Sequence, residues 1–287
     1  MKAARAAARA VEVVQYLAMH PTRTFTLTEL ARAGSVSSAS LLDVLVALTE
    51  AGWVVRHPVH KTYRLGPVLV PVGRAASAGN PVVDLARPVM MELASLGTEC
   101  VGSTAVGDDI LVLALEGRPA TGGRDLRVGY RIPLVPPFGL VFLAWDRDEW
   151  VTRWADRAGI ESRSFKDSLA AVRTRGYAVG LNNPGVARMH DLADVVAAHP
   201  YDEARRAELA ESIQSQIDVY VLDEIDPARD YDVAMVSAPI FRPDRTVEFA
   251  LTVQGVGRCN GARLREVGET IARECAALTR ELGGYAP

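Results

Sequence analysis

One continuous stretch, Thr26 to Leu65, constrains the fold more than any other part of this 287-residue chain. It reads T-L-T-E-L-A-R-A-G-S-V-S-S-A-S-L-L-D-V-L-V-A-L-T-E-A-G-W-V-V-R-H-P-V-H-K-T-Y-R-L. Thr26 with Glu29 three residues on is a capping box, in which each side chain satisfies a free backbone N–H of the other at a helix start. Leu27, Leu30 and Ala31 then face inward, and Gly34 supplies a turn. Ser37 or Ser38 caps the next helix, on which Leu41, Leu42, Leu45, Val46 and Leu48 form a broad apolar stripe. Gly52 closes that helix where left-handed backbone is wanted. Trp53-Val54-Val55 and Thr62-Tyr63-Arg64-Leu65 are short strands joined by the basic turn R-H-P-V-H-K. This order is that of a winged helix-turn-helix, which places its second helix in the major groove of duplex DNA.

A preceding helix is expected from about Lys2 to Met19, with Val11, Val14, Leu17 and Ala18 on its buried face. It ends at His20-Pro21, because a residue before proline is pushed out of the helical region. The formal net charge of −3 hides a division. Residues 1–66 hold eight basic groups and four acidic ones, a net of +4, so the remainder carries −7. A basic head on a mildly acidic body suits binding to a polyanion. Most of the body's charge lies in 182–230, which has eleven acidic and four basic groups.

Residues 66–79 contain Pro67 and Pro71 and read as a partly helical linker. A helix is expected over Val82 to Leu96. Val101–Val106 and Ile110–Leu115 form a hairpin around G-D-D, and Leu126–Tyr130 is a further strand. Phe138 to Trp145, Arg147 to Ala158 and Ser168 to Arg175 look helical, followed by strand Tyr177–Val179. Asp202 to Val219 is expected to be helical. Val233–Phe241 and Thr246–Gly255 pair around R-P-D-R, and Ala262 to Leu282 is a long amphipathic helix.

Several strings, in their order, resemble the IclR family of bacterial transcriptional regulators. They are T-L-T-E-L-A-R-A-G, L-T-E-A-G-W-V-V-R, K-T-Y-R-L-G-P, R-P-V-M-M-E-L-A, R-x-G-Y-R-I-P-L, R-x-R-G-Y-A-V and S-A-P-I-F-R-P-D-R. Together they cover most of the chain except 182–230. The resemblance implies an α+β chain in which an N-terminal winged helix-turn-helix is joined by a linker helix to a GAF-like effector-binding domain. The expected division is 1–66 for the DNA-binding head, 67–80 for the linker and 81–287 for the effector domain, with an acidic helical insertion at about 182–230. The resemblance also implies homodimers or dimers of dimers on operator DNA, and a small organic effector that alters DNA binding. The sequence departs from the family pattern in three places. Asp43 stands where the third helix normally has a basic residue. V-P-P-F-G-L-V-F, from Val135, replaces a loop that usually carries a His and small polar residues. Ala234-Met235 stand where Arg-Cys is frequent.

On the head, Ser37, Ser38 and Ser40 can donate to phosphates or bases near the helix N-terminus. The same serines can equally be serving only as caps and turn residues. Arg56, His57, Lys61 and Arg64, with His60, cluster on the wing, where positive charge meets the DNA backbone or minor groove. From Gly34 to Trp53 there is no Lys or Arg, so affinity should come mainly from the wing and from pairing of heads. On the body, Leu134, Val135, Phe138, Gly139, Phe142, Met235 and Val253 are candidate effector-pocket residues, with Arg131 and Ser237 as polar anchors. Such a wall favours a hydrophobic or aromatic ligand over a small organic anion. The alternative is that these residues merely fill a core.

No catalytic motif is present: there is no H-E-x-x-H, no G-x-S-x-G and no G-x-x-x-x-G-K-[ST]. His190-Asp191 and His199 lack metal-ligand spacing. Cys100, Cys259 and Cys275 form no C-x-x-C pair, so neither a zinc site nor a disulfide framework is expected. No enzyme activity, cofactor or metal is expected, and no association with a membrane. The N-terminus lacks the apolar core of a secretory signal, and a cytoplasmic location is expected. A ligand sensor or interaction protein of the same fold, with weak or lost DNA binding, is the alternative function.

Overall fold

The computed structural model describes residues 5–79, 81–119, 126–134, 138–146, 151–152, 162–182, 191–192, 195–196, 203–214, 222 and 224–287. The chain divides into two compact units, Met1–Pro81 and Val82–Pro287.

In the first unit, helix α1 (Arg5–Met19) is followed by strand β1 (Phe25–Thr26), helices α2 (Leu27–Ala33) and α3 (Ser38–Glu50), and strands β2 (Val54–Arg56) and β3 (Thr62–Leu65). Helix α4 (Leu69–Ala78) completes it. The three strands form one antiparallel sheet in the order β1-β3-β2. Strand β1 was not foreseen; it pairs Phe25 with Tyr63 and Thr26 with Thr62. The core gathers Val13, Leu17, Phe25, Leu30, Leu41, Leu45, Val54 and Tyr63.

Both apolar stripes differ from expectation. On α1, Val13 and Leu17 are buried, whereas Val11 and Ala18 are exposed. On α3, Val44 joins Leu41 and Leu45 inside, while Leu42 and Val46 face outward. In each helix the buried residues keep the i, i+4 spacing of one face. Both helices also carry surplus apolar residues, so the pattern alone did not single out that face.

The capping box at α2 forms as expected: Thr26 Oγ1 accepts the Glu29 N–H at 3.3 Å, and Thr26 N–H donates to the Glu29 carboxylate at 2.7 Å. Gly34 lies in the turn that ends α2, as expected. Gly34 has a φ of −87°, and Ser35 is the left-handed residue at +50°. Ser35 N–H donates to Arg32 O and Val36 N–H to Ala31 O, which closes the helix as a Schellman turn. Gly52, at φ +72°, closes α3 as expected. A Cβ on Gly66 would lie 2.0 Å from Gly52 O, so only glycine lets the chain leave β3 beside the end of α3.

The second unit starts with α5 (Val82–Leu93), which contains Pro88, and a single 3-10 turn over Ala94–Leu96. Strands β4 (Glu99–Val106) and β5 (Asp109–Gly117) form the expected hairpin. The expected strand at Leu126–Tyr130 is instead a turn, held to β5 through Gly129 N–H to Val112 O, and the strand itself is β6 (Arg131–Pro133). Helix α6 (Leu140–Leu143) is shorter than expected, and α7 (Ser162–Arg175) is longer. Strand β7 (Ala178–Leu181), helix α8 (Glu203–Gln214), the long hairpin of β8 (Asp230–Phe241) and β9 (Val247–Asn260), and helix α9 (Gly261–Glu281) follow. The sheet is six-stranded and antiparallel, in the order β6-β5-β4-β9-β8-β7.

Strand alternation gives that sheet two different faces. One face packs on α5 and α9: Cys100, Val236, Ala238, Leu251 and Val253 meet Met90, Leu264, Val267, Ile271 and Cys275. Close approach shapes this layer. A Cβ on Gly102 would lie 2.5 Å from the Phe249 ring, and one on Gly268 would lie 2.2 Å from Tyr177. The opposite face, covered by α6 and α7, holds the second core around Leu140, Val141, Leu143, Leu169 and Val172. The chain is thus α+β, with a winged helix-turn-helix followed by a helix and an antiparallel-sheet domain, as the sequence implied.

Candidate nucleic-acid interface and ligand cavity

The head presents two surfaces suited to DNA. The first is the wing. Arg56, His57, His60, Lys61 and Arg64 are all exposed on β2, β3 and their connection. Their local roles differ. His57 Nδ1 accepts the backbone N–H groups of Val59 and His60 at 3.2 and 3.1 Å, and the two imidazoles lie 4.6 Å apart. His57 therefore ties the turn together. Lys61 sits at φ +54°, and its ammonium donates to Pro58 O. The Arg56 guanidinium lies 5.7 Å above the Tyr63 ring. Arg56 is on the edge strand β2 and Arg64 on the central strand β3, and both are exposed.

The second surface is the N-terminal half of α3. Ser37 is the N-cap: its Oγ accepts Ser40 N–H at 3.3 Å and donates to Ser40 Oγ at 3.0 Å. Ser38 is exposed in the first turn. Two of the three candidate serines are thus engaged in capping, and Ser38 keeps its hydroxyl outward-facing.

On the body, the sheet face opposite α9 borders a cavity. Val101 and Ser103 of β4, Ile110 and Val112 of β5, Met235 and Ser237 of β8, and Thr252 and Gln254 of β9 supply its floor. Phe138, Gly139, Leu140, Val141 and Phe142 supply a wall, with Leu126, Ile132 and Ala178 at the sides. The space is about 70 Å³, and the cavity is partly open to solvent. Its polar groups are Ser103, Ser237, Thr252 and Gln254; among the described residues, no charged side chain lines it. Ser237 and Thr252 hydroxyls lie 2.8 Å apart. Gly139 adopts φ +72°, and a Cβ there would meet Leu134 at 2.4 Å and Ile110 at 2.9 Å, so glycine lets the wall start this close to the sheet.

Of the residues expected at the pocket, Phe138, Gly139, Phe142, Met235 and Ser237 meet there. Arg131, Leu134 and Val253 do not line it. Arg131 is held by Asp109 across β5 and β6 at 3.1 Å. Leu134 is buried behind Gly139. Val253 is fully buried on the other face of the sheet, one residue out of phase with Thr252 and Gln254. Val135 lies outside the described residues, as do His190 and His199.

Cysteine chemistry contributes nothing to either surface. Burial pushes the Cys100 thiol up to about 12 and raises Cys275 strongly, so both stay protonated. Among the described residues, no group of three or more His, Cys, Asp or Glu side chains is placed to hold a metal ion. No single described helix is long and apolar enough to cross a membrane.

Residues 6–58, which span α1 to the start of the wing, match the IclR helix-turn-helix domain. The head is an IclR helix-turn-helix domain. No curated protein matches the chain. Solved structures extend the likeness along its whole length. An IclR transcriptional regulator from Alicyclobacillus acidocaldarius is 21% identical, with 98% of this chain and 100% of that one covered and a TM-score of 0.68. HmgR of Pseudomonas aeruginosa is 20% identical over 98% and 100% of the two chains, with a TM-score of 0.63. An IclR homolog from Microbacterium hydrocarbonoxydans, solved in complex with 4-hydroxybenzoate, is 16% identical over 97% and 99%, with a TM-score of 0.63. The chain therefore has the fold of IclR transcriptional regulators from end to end.

In this IclR fold the polar floor of the cavity was the part that sequence reasoning missed. Ser103, Thr252 and Gln254 lie on strands whose apolar neighbours dominate the hydropathy. Their signal was the phase of alternation: Ser237 pairs directly with Thr252, so choosing Ser237 for the cavity face implies Thr252 and excludes Val253.

Proposed function

We propose that this chain is a ligand-responsive transcriptional regulator. Residues 1–66 bind operator DNA, 67–80 link the domains, and 81–287 take a small hydrophobic or aromatic effector. The observation that carries the effector reading is the cavity lining, neutral throughout its described residues and mostly apolar, with four uncharged polar groups on one side. Burying a carboxylate there without a cation is costly, whereas a ring with a hydroxyl or carbonyl finds both apolar wall and hydrogen-bonding floor. The relative solved with 4-hydroxybenzoate supports an aromatic ligand, and the neutral lining here favours an uncharged phenol over a benzoate. The space of about 70 Å³ is smaller than the ~150 Å³ of a cavity that holds benzene. A ring therefore fits by reaching out through the open side of the cavity or by shifting wall side chains.

Operator binding rests on the head: the IclR helix-turn-helix match, the cationic wing and the exposed α3. We propose that heads act in pairs, in a homodimer or a dimer of dimers. Helix α4 buries none of its residues and exposes Val70 and Val72, as a helix awaiting a partner does. A second reading, a sensor that has lost DNA binding, is favoured by one observation. The exposed face of α3 carries Asp43 and no cation.

Two measurements separate these readings. In gel-shift titrations at low salt with the fragment upstream of its own gene, retention supports the regulator, and its absence favours the sensor. In thermal-shift assays with 4-methylphenol, 4-hydroxybenzoate and glyoxylate, stabilisation should be largest with 4-methylphenol. Stabilisation by glyoxylate alone would overturn the effector reading.

A further inference from the structure

The outward face of α3 is apolar where a DNA-reading helix usually carries long polar side chains. Ser38, Ala39, Leu42, Asp43, Val46 and Ala47 are exposed on it. Leu42 retains 41% and Val46 48% of its accessible surface. Ala39, Leu42 and Val46 follow the i, i+3, i+7 spacing of one helical stripe. From Ala39 to Val46 the stripe rises ~10 Å, at 1.5 Å per residue, about the height of three base pairs stacked at ~3.4 Å.

Resting on the DNA-binding reading above, we propose that α3 reads its half-site through thymine 5-methyl groups, contacted by Ala39, Leu42 and Val46. The thymine methyl is the apolar feature of the base edges in the major groove, and the remaining groups there are hydrogen-bond donors and acceptors. An apolar stripe inserted in that groove gains free energy against thymine and leaves donors and acceptors unpaired against guanine. Asp43 does not make this choice: its carboxylate repels phosphate and accepts from an exocyclic amine, which cytosine offers at N4 and adenine at N6, so the preference for thymine rests on the apolar stripe. The occupant is DNA rather than a second copy of the chain because the same unit places the cationic Arg56, Lys61 and Arg64 on the adjoining wing. Those cations suit a polyanion and supply the attraction that α3 lacks.

The test starts from a random-sequence duplex pool, selected with the full-length chain at low salt. The enriched duplexes should be T·A-rich at paired positions. Each is then resynthesised with deoxyuridine for thymidine, which removes the methyl groups and leaves base pairing intact. Binding should weaken about fourfold for each contacted methyl lost, equivalent to ~0.8 kcal/mol apiece. Leu42→Ala should weaken binding to the thymine duplex and shrink the thymine–uracil difference. Its exposed position lets circular dichroism confirm that the head stays folded. Equal binding of the two duplexes by the wild-type chain overturns the inference and leaves the regulator reading standing. Failure to enrich any duplex overturns both. If Leu42→Ala changes the association state of the chain without DNA, measured by sedimentation, the stripe belongs to a second copy and the inference falls.

Discussion

Ser237 and Thr252 face each other across β8 and β9, with their hydroxyl oxygens 2.8 Å apart on the floor of the cavity. One hydroxyl donates and the other accepts, which leaves a donor and further lone pairs for a ligand. Ser237 is buried, so removing its partner is costly while removing both is less so. Thr252→Val should destabilise the chain by ~1–2 kcal/mol, and Ser237→Ala by a similar amount. The double substitution should cost clearly less than the sum. Urea unfolding of the four proteins measures the coupling; additivity within ~0.3 kcal/mol would mean that the pair is not a working hydrogen bond.

Gly268 lies on α9 directly against Tyr177, and a Cβ at that position would sit 2.2–2.7 Å from three atoms of the ring. Tyr177 is buried just before β7, and its hydroxyl is raised in pKa chiefly by that burial. Gly268→Ala gains ~1 kcal/mol of helix propensity but overpacks a rigid site, at a cost of ~1–3 kcal/mol. We expect net destabilisation, read as a lower urea midpoint. In a Tyr177→Leu background the clash is gone, and the same change should become neutral or stabilising. If Gly268→Ala behaves alike in both backgrounds, the ring contact does not determine the glycine.

These two pairs also mark how far the sequence can be read. The Thr26–Glu29 capping box and the Gly52 helix end were legible because short-range geometry alone dictates the residue type. The turn at Gly34 was legible too, but that Ser35 and not the glycine takes the left-handed conformation was not. Helix α3 carries more apolar residues than one face needs, so which of them are exposed was settled only by tertiary packing. In the cavity, Phe138 and Phe142 stand out as large apolar residues on either side of Gly139. Thr252 and Gln254 did not, because strand phase is set by pairing with β8 and not by local composition. Arg131, expected as a polar anchor, is instead paired with Asp109, which the sequence alone did not place beside it.

Thr26 Oγ1 and the Glu29 carboxylate hold the start of α2 reciprocally. Hydrogen bonds from the Thr26 backbone and side chain, in that order, hold the Glu29 carboxyl below its ordinary value. A lowered carboxylate pKa contributes stability above its unfolded value, and that stability disappears as pH falls through the folded one. The head should therefore lose stability on acidification below about pH 5, where unfolded glutamates begin to protonate. Glu29→Gln cannot titrate and should flatten this dependence. Thr26→Ala should cost the head ~1 kcal/mol at pH 7. Urea unfolding of a chain in which Trp145, Trp150 and Trp154 are replaced by Phe, so that Trp53 is the one tryptophan left, reports on the head when followed by fluorescence between pH 7 and 3; identical pH profiles with and without Glu29→Gln would remove the cap from the account.

Arg56 and Lys61 test where the head's affinity originates. Arg56 is exposed beside Tyr63, whereas the Lys61 ammonium gives one of its three donors to Pro58 O and can offer the others to a phosphate. If both neutralise phosphates, their loss reduces the slope of log affinity against log salt by ~1.8 per head, at ~0.9 per contact. Affinity should fall at low salt and converge with wild type as salt rises. Lys61 occupies φ +54°, and asparagine, which tolerates the left-handed region, is a replacement that keeps the turn while removing the charge. The comparison is therefore wild type against Arg56→Ala/Lys61→Asn, titrated on one duplex across a salt series. A reduced slope with unchanged sequence preference places the wing on the backbone and leaves base reading to α3. An unchanged slope assigns the electrostatic attraction to other cations of the head, with Arg64 and the α1 arginines Arg5 and Arg9 the next to replace.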